Sequence, residues 1–312
     1  MEQIPLIVIA GPTGSGKTAL SVQLAKIYGG EIVSADSMQI YKQMQIATAK
    51  PTQAEMDDVP HHLIGFQDCS ESFSVADYLN LARKAVLEIY QRGKLPFLVG
   101  GTGLYISSFV DNISFQDIVS DSELRDFLLK RLKTEGGEKL LNELREFDPE
   151  TAAALHPNNG NRIVRAIEVY RLTGITMSEH QRLSRQKPSP YRLCMIGLSA
   201  KNRQILYDRI NLRVDLMMKS GLLEEARSVL SHPDMKTAFQ AIGYKELKGY
   251  FEGVCTLEES VERIKRETRR YAKRQLTWFR RDERIHWLYL DELGGEALIA
   301  AARCIIKEKL DI

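Results

Sequence analysis

Residues 4–18 read IPLIVIAGPTGSGKT, and this stretch decides the fold. Its first seven residues form an apolar run typical of a buried β-strand. Its last eight fit the phosphate-binding pattern G-x-x-x-x-G-K-[ST] at every position. Helical spacing follows over residues 19–28 and stops at Gly29-Gly30. Because this motif needs a strand before the loop and a helix after it, the sequence predicts a phosphate-binding loop and disfavours an accidental match.

The predicted loop offers three kinds of contact to a phosphate. Its glycines allow a tight turn whose amide N–H groups converge on phosphate oxygens, and the following helix adds the positive end of its dipole. Lys17 supplies a positive charge, and the Thr18 hydroxyl is placed to ligate Mg²⁺. The pattern specifies a diphosphate or polyphosphate and does not specify ATP. The predicted diphosphate-binding residues are Gly11, Pro12, Thr13, Gly14, Ser15, Gly16, Lys17 and Thr18.

Strands and helices alternate along the chain around this loop. This alternation predicts an α/β fold with a P-loop NTPase-like parallel sheet flanked by helices. The predicted strands, after the first, are 31–35, 95–99, 192–198 and 285–290, and the predicted helices include 75–91, 206–218 and one that starts at the capping box Thr256-x-x-Glu259 and runs toward residue 281.

The sequence between residues 114 and 190 does not show the alternation of strands and helices. It shows helical spacing and no convincing strand, with a capping box at Ser120-x-x-Glu123 and a breaker at Gly136-Gly137. The run Lys187-Pro188-Ser189-Pro190 closes it. The chain is therefore predicted to have a catalytic core over 1–113 and 191–312, and an all-helical insertion domain over 114–190.

Composition excludes several classes of protein. The 312 residues carry a net charge of only +2, which argues against a wholly basic nucleic-acid coat and against an acidic disordered chain. The four cysteines form no C-x-x-C pair, so reduced thiols in the cytoplasm are expected. No apolar run reaches the ~20 residues of a membrane helix, and a secretion signal is not expected, because the N-terminal segment lacks a basic start.

The near-neutral total hides segregated charge. Residues 262–284 contain ten basic and four acidic side chains, and residues 161–192 contain seven basic and two acidic. Arg263, Arg266, Arg270 and Arg274 recur at helical spacing, with aromatic residues between them. Such a stripe suits an RNA backbone, and a solvated helix face is the alternative.

A carboxylate follows the second predicted strand. The third strand ends in Val99-Gly100-Gly101-Thr102 and lacks the acidic residue that P-loop hydrolases usually place there to hold the metal. Asp36 ends the second strand instead. Because open parallel sheets bind substrates at the carboxyl ends of their strands, Asp36 is expected to face the phosphate loop.

With these residues in place, the sequence resembles the tRNA dimethylallyltransferase family, also called tRNA isopentenyltransferases, in its bacterial form. The matching stretches are GPTGSGKT at 11–18, ADSMQIY at 35–41, TAKPT at 48–52, VPHHLIG at 59–65, LVGGTGLY at 98–105, NRIVRAIEVYRLTG at 161–174, AIGYKE at 241–246 and AKRQLTWFRR at 272–281. They cover nearly the whole chain in order. Eukaryotic members often add a C-terminal zinc finger, which is not expected for this chain.

The resemblance implies transfer of a dimethylallyl group from dimethylallyl diphosphate to N6 of adenosine 37, beside the anticodon of tRNA, with release of pyrophosphate. The implied partners are the tRNA anticodon stem-loop and dimethylallyl diphosphate, with Mg²⁺ as cofactor. A monomer without a membrane partner is expected.

Three catalytic residues follow from the resemblance. Asp36 matches the family's catalytic aspartate, a base for the N6 proton, although metal binding or capping of a turn are alternatives. Thr102 matches a threonine at the reaction channel, or is simply a turn hydroxyl. Arg213 matches an arginine delivered to the diphosphate. From the residues alone, a solvated helix arginine would be favoured at that position.

The tRNA-binding residues are also assigned through the resemblance. Because the target base must leave its stack before it reacts, residues after Asp36 are expected to line its pocket, and the Gln39 amide has the donor and acceptor to read an adenine edge. Core packing suits Met38 equally well. The predicted tRNA-binding residues are Asp36, Ser37, Met38, Gln39, Thr102, Arg125, Arg162, Arg165, Lys273, Arg274 and Arg280.

Two other functions share the loop and the sheet. A P-loop kinase for a nucleoside or small metabolite would turn over ATP and would not need the basic segments. An RNA-binding nucleotide switch would change conformation without a covalent product. The pair His61-His62 is predicted to fix a loop rather than bind metal, because adjacent residues do not share a strand or helix face.

Overall fold

The structure is a computed structural model that describes residues 3–115, 121–231 and 241–312. The chain divides into two compact units, one comprising Met1–Val110 with Pro190–Ile312 and the other Asp111–Ser189. The predicted helical insertion over 114–190 corresponds to the second unit.

A six-stranded sheet forms the centre of the first unit. All its pairings are parallel, in the order β3-β2-β4-β1-β5-β6, so the predicted α/β class is confirmed. The strands are β1 Ile4–Ala10, β2 Glu31–Ser34, β3 His61–His62, β4 Pro96–Gly100, β5 Tyr191–Ser199 and β6 Ile285–Tyr289.

Helices cover both faces of the sheet. Leu6 and Val8 of β1 pack in one core cluster and Ile7 and Ile9 in another, because alternate residues of a strand point to opposite faces. This explains why β1 is apolar throughout rather than alternating. The helices of this unit are α1 Lys17–Tyr28, α2 Gln53–Met56, α3 Val75–Gln91, α4 Gly103–Val110, α10 Arg203–Lys219, α11 Leu222–Leu230, α12 Tyr244–Phe251, α13 Leu257–Phe279 and α14 Gly295–Leu310.

Most predicted elements are present with small shifts of their ends. Helix α1 begins at Lys17, two residues before its apolar spacing starts, because the phosphate loop runs directly into its first turn. Strand β4 lies one residue later than predicted, and β2 ends at Ser34. The two-residue strand β3 was missed, because so short a segment leaves no periodicity to detect.

The strand order brings three loops to one edge. Strand β4 pairs with β1 on one side and with β2 on the other. Their carboxyl ends therefore place the phosphate loop, the turn after β2 and the Gly100-Gly101-Thr102-Gly103 turn side by side. The backbone N–H of Thr102 donates to the Ala35 carbonyl at 3.1 Å, which ties the last two loops together.

The second unit is helical over its described residues. Its helices pack around buried apolar side chains such as Leu140, Leu144 and Ile167. Asp121 caps α5 by accepting from the Leu124 N–H at 3.0 Å, whereas the predicted cap Ser120 lies outside the described residues. The helices are α5 Ser122–Glu135, α6 Gly137–Phe147, α7 Pro149–Ala153, α8 Gly160–Thr173 and α9 Met177–Ser184.

None of the helices in the described part of the chain combines the length and the apolar character that crossing a membrane requires.

Candidate active site

A cavity of about 330 Å³ lies at the carboxyl edge of the sheet in the first unit. Four of the side chains that line it are basic, and Asp36 is the one acidic side chain among its described lining residues. Apolar side chains from β2, β4, α10 and α13 complete the wall. The predicted site residues that line this cavity are Thr13, Lys17, Thr18, Asp36, Ser37, Met38, Gln39, Arg213 and Arg274.

The phosphate loop has the backbone that its sequence predicts. Gly14 and Gly16 have φ angles of 80° and 82°, in the left-handed region that favours glycine. A Cβ at Gly11 would lie 2.3 Å from the Leu198 carbonyl oxygen, so this position also needs glycine. Ser15 is fully buried and is not among the residues that line the cavity.

Lys17 is held at the cavity by the loop itself. Its Nζ donates to the Pro12 carbonyl at 2.8 Å. Burial lowers the pKa of Lys17 from 10.5 to about 8, while Asp36 raises this pKa and Arg213 lowers it. Lys17, Asp36 and Arg213 all line the same cavity, where a bound anion would meet two cations.

Asp36 occupies the turn after β2. Its Oδ1 accepts backbone N–H groups from Met38 at 2.9 Å and from Gln39 at 3.3 Å. Among the described residues, every hydrogen bond to this carboxylate falls on Oδ1. One carboxylate oxygen of Asp36 therefore caps the turn, which is the alternative role given to this residue. The other oxygen is available for a substrate or a metal ion.

Thr102 fixes this turn from the neighbouring strand. Its hydroxyl accepts the Ser37 N–H at 3.0 Å and donates to the Ser37 Oγ at 3.3 Å. Tyr271 of α13 lies close to both Thr102 and Asp36, and burial followed by the charge of Asp36 raises the pKa of Tyr271 to about 12. In the structure Thr102 thus acts as a turn hydroxyl, beside the carboxylate.

Two arginines of α10 reach the phosphate loop. Arg213 is half-buried, and its guanidinium donates to the Thr13 hydroxyl at 3.3 Å and to the Ala49 carbonyl at 3.5 Å. The solvated-arginine alternative is wrong, because burial lowers the pKa of Arg213 and its contacts face the loop. Arg209, which the sequence reasoning missed, donates from Nε to the Gly14 carbonyl at 2.8 Å.

Gln275 was also missed. This buried α13 side chain accepts the Thr13 N–H at 2.9 Å and donates to the Gly101 carbonyl at 2.9 Å. It therefore joins the phosphate loop to the turn after β4. The stretch AKRQLTWFRR contains this residue, yet no spacing rule distinguishes a buried glutamine from its polar neighbours on the stripe.

The residues after Asp36 divide between two roles. Met38 packs against the core cluster of α10–α13 and also lines the cavity. Its position is therefore compatible with both predicted roles, core packing and lining the pocket. The Nε2 of Gln39 donates to the carbonyls of Thr48 and Ala49, at 3.2 Å each. Reading an adenine edge with both its donor and its acceptor would therefore require Gln39 to release these carbonyls.

The predicted basic stripe lies on α13 with its charged ends exposed. Arg263, Arg266, Arg270 and Arg274 are all exposed, as are Lys273 and Arg280. The Arg274 guanidinium sits 5.7 Å from the centre of the Tyr271 ring. Arg270 is paired with Glu267 at 2.8 Å. The stripe therefore continues from the cavity wall onto open surface.

The three predicted tRNA contacts of the insertion lie within the second unit. Arg162 and Arg125 are exposed, and Arg165 is partly buried. The guanidinium of Arg165 pairs with the fully buried Glu168 carboxylate at 2.8 Å, and that of Arg125 lies 3.9 Å from it. The three arginines thus cluster at the start of α8 and α5.

His61 and His62 have structural partners. The Nδ1 of His61 contacts the Val59 carbonyl at 2.8 Å, and the Nε2 of His62 contacts Glu31 at 2.7 Å. Burial would raise the pKa of Glu31, but hydrogen bonds from His62 and Arg92 outweigh it and lower this pKa. Through these contacts, the two histidines fix the edge of the sheet where β2 and β3 pair.

The donor chemistry of the cavity fits Mg²⁺. The Thr18 hydroxyl and the Asp36 carboxylate line the same space and are the hard oxygen donors that this ion prefers. No group of three or more His, Cys, Asp and Glu side chains suited to a metal occurs in residues 3–115, 121–231 and 241–312. The site therefore suits an ion that takes its other ligands from substrate phosphates and water.

Comparison with known proteins identifies the family to which the chain is similar. The family model described as IPP transferase matches residues 39–282. A tRNA dimethylallyltransferase of Halalkalibacterium halodurans is 47% identical over 308 residues, 98% of each chain, and one of Bacillus subtilis is 49% identical over 284 residues, 91% of this chain and 90% of the relative.

Solved structures agree with these sequence relatives. The full-length tRNA isopentenylpyrophosphate transferase from Bacillus halodurans matches with a TM-score of 0.73 and 44% identity, covering 98% of both chains. A eukaryotic dimethylallyltransferase captured acting on tRNA matches with a TM-score of 0.80 and 30% identity, covering 98% of this chain and 80% of that one.

Proposed function

The chain belongs to the IPP transferase family, and we propose that it transfers a dimethylallyl group from dimethylallyl diphosphate to N6 of adenosine 37 of tRNA, releasing pyrophosphate. The observation that carries this proposal is the convergence of Lys17, Arg213 and Asp36 on one cavity with apolar walls. Two cations suit the diphosphate, the apolar wall suits the five-carbon chain, and the carboxylate suits a nucleophile that must lose a proton.

The phosphate loop and its neighbours bind the leaving group. As the C–O bond of dimethylallyl diphosphate breaks, negative charge grows on pyrophosphate, and preformed amide N–H groups, Lys17 and Arg213 stabilise that charge in the transition state. Arg209 and Gln275 contact the backbone of the same loop and hold its shape. When bound at Thr18 and the substrate phosphates, Mg²⁺ supplies further charge neutralisation.

Asp36 accepts the proton of the acceptor. The exocyclic amine of adenine is a weak nucleophile because its lone pair is delocalised into the ring, so a base must take an N6 proton as the N–C bond forms. The Asp36 oxygen not engaged by the turn is suited to this role. Thr102 holds the Ser37 backbone and so keeps the carboxylate in place.

The RNA is bound by the exposed basic residues. Adenosine 37 must be extruded from the stacked anticodon loop into the cavity. Ser37, Met38 and Gln39 line the part of the cavity that receives the base. Lys273 and Arg274 of α13 and Arg280, which follows its last residue, contact the RNA backbone, as do Arg125, Arg162 and Arg165 of the insertion. The proposal includes that the protein acts as a monomer in the cytoplasm.

The test is to incubate the protein with unmodified tRNA, dimethylallyl diphosphate and Mg²⁺, without ATP. Mass analysis of digested RNA should show a prenylated adenosine at position 37 and one pyrophosphate released per transfer. Omitting Mg²⁺ should slow the reaction. A parallel incubation contains ATP and a nucleoside or small metabolite instead of the two substrates. Consumption of ATP there, with unchanged RNA in the first incubation, would establish the kinase alternative.

A further inference from the structure

Part of the long connection between β2 and α2 forms one wall of the cavity. Ala47, Thr48 and Ala49 line the cavity, and we refer to residues 45–49 as the wall segment. Ala49 has a φ of 49°, in the left-handed region where a side chain is strained. Such a conformation persists only when surrounding contacts hold it, which raises the question of what holds this segment.

Glu225 of α11 holds the wall segment through its backbone. One carboxylate oxygen accepts the N–H groups of Gln45 and Ile46, each at 2.8 Å, and the other accepts the Ala47 N–H at 2.9 Å. The Tyr244 hydroxyl donates a fourth hydrogen bond, at 2.8 Å. Four donors thus converge on one anion, and charge-assisted bonds of this kind are stronger than neutral ones.

The wall segment in turn holds two functional side chains. The carbonyl of Ala49 accepts from Arg213 at 3.5 Å and from Gln39 at 3.2 Å. The Thr48 carbonyl also accepts from Gln39 at 3.2 Å. Moving the amides of residues 45–47 would therefore move the acceptors that orient Arg213 and Gln39.

We propose that Glu225 is a positioning residue that fixes the wall segment, whose carbonyls orient Arg213 toward the diphosphate and hold the Gln39 side chain at the cavity wall. Glu225 contacts no substrate in this arrangement. The inference rests on the proposed function, because it assigns Glu225 a part in the prenyl transfer.

Glu224 provides a matched control. Both glutamates lie in the first turn of α11, where an acidic side chain favours the helix through its dipole. Glu224 is exposed and makes no hydrogen bond to the wall segment. A loss seen with Glu225→Gln and absent from Glu224→Gln therefore cannot come from the helix terminus.

The experiment is a double-mutant cycle on the full chain. The value of kcat/KM for dimethylallyl diphosphate is measured with tRNA for Glu225→Gln and Glu224→Gln, each in the wild-type and in the Arg213→Ala background. We expect Glu225→Gln to lower it by about tenfold in the wild type, because the amide cannot accept from all four donors, and by only a few-fold beside Arg213→Ala. Glu224→Gln should stay within about twofold in both backgrounds.

The outcomes separate this inference from the proposed function. Equal losses in both backgrounds, or wild-type kinetics for Glu225→Gln, overturn the positioning role. A wild-type protein that makes no prenylated adenosine overturns the proposed function itself. If circular dichroism shows that Glu225→Gln does not fold, Tyr244→Phe removes one of the four bonds and carries the same cycle, with a smaller loss that again shrinks beside Arg213→Ala.

Discussion

The backbone N–H of Thr13 donates a hydrogen bond to Oε1 of Gln275 at 2.9 Å, across 262 residues of sequence. The Nε2 of the same side chain donates to the Gly101 carbonyl at 2.9 Å, and a Cβ on Gly101 would lie 2.3 Å from this nitrogen. One buried amide thus sets the spacing between the phosphate loop and the turn beside Asp36, because its oxygen accepts from one loop and its nitrogen donates to the other.

Replacing Gln275 by Glu tests this link. One carboxylate oxygen still accepts the Thr13 N–H, but the other would face the Gly101 carbonyl without a proton between them. We expect kcat/KM for dimethylallyl diphosphate to fall by about 10- to 100-fold, since a disrupted buried hydrogen bond costs about 1–3 kcal/mol. Steady-state kinetics measure this. Gln91→Glu, on the exposed end of α3, adds the same charge and should stay near wild type; similar losses for both would refute the link.

Asp36→Asn tests the base. The amide keeps the shape of the turn but cannot take a proton from N6, so kcat should fall by about 10²- to 10⁴-fold. The dissociation constant for tRNA should stay within about twofold of the wild-type value. Single-turnover kinetics and filter binding measure the two quantities. Asp58→Asn, at an exposed position, should leave both unchanged, and near-normal turnover by Asp36→Asn would remove Asp36 from the base role.

The charge of Lys17 predicts a pH profile. Burial lowers the pKa of Lys17 to about 8, so the free enzyme loses this positive charge as the pH rises above that value. We expect kcat/KM for dimethylallyl diphosphate to fall above about pH 8, whereas kcat should hold to higher pH because a bound diphosphate raises the pKa of the lysine.

The Lys17→Arg variant is the control for this profile. Arginine stays protonated over the whole range, so the descending limb of kcat/KM should disappear even if activity is low. A wild-type profile that stays flat to pH 10, or a limb that persists in Lys17→Arg, would show that another group causes it.

Lys273→Ala tests the basic stripe. Removing one phosphate contact should weaken tRNA binding and reduce the slope of log K against log salt by about 1, without changing the affinity for dimethylallyl diphosphate. Binding titrations at several salt concentrations measure this slope. Lys307→Ala, on the exposed side of α14, is the matched control. If both variants and the wild type have equal slopes, the stripe is a solvated helix face and does not bind RNA.

Local patterns sufficed for much of this protein. Loop geometry and side-chain periodicity are local properties, so contiguous residues are enough to predict them. They predicted the phosphate loop, the strands β1, β4, β5 and β6, the helices α3 and α13, and the position of Asp36 at a strand end. The resemblance added Arg213, which spacing alone would have left as a surface arginine, and it singled out Thr102, which the structure shows as a hydroxyl that fixes the turn after Asp36.

Tertiary structure alone decided how these groups are held. Gln275, Arg209 and Glu225 contact loops that lie between about 180 and 262 residues away in the sequence, and all three bind backbone atoms of those loops. A backbone amide or carbonyl carries no residue identity, so no sequence pattern marks it as a partner. The sequence therefore predicts candidate residues for the chemistry, while only the folded structure reveals the buried polar side chains that keep them in place.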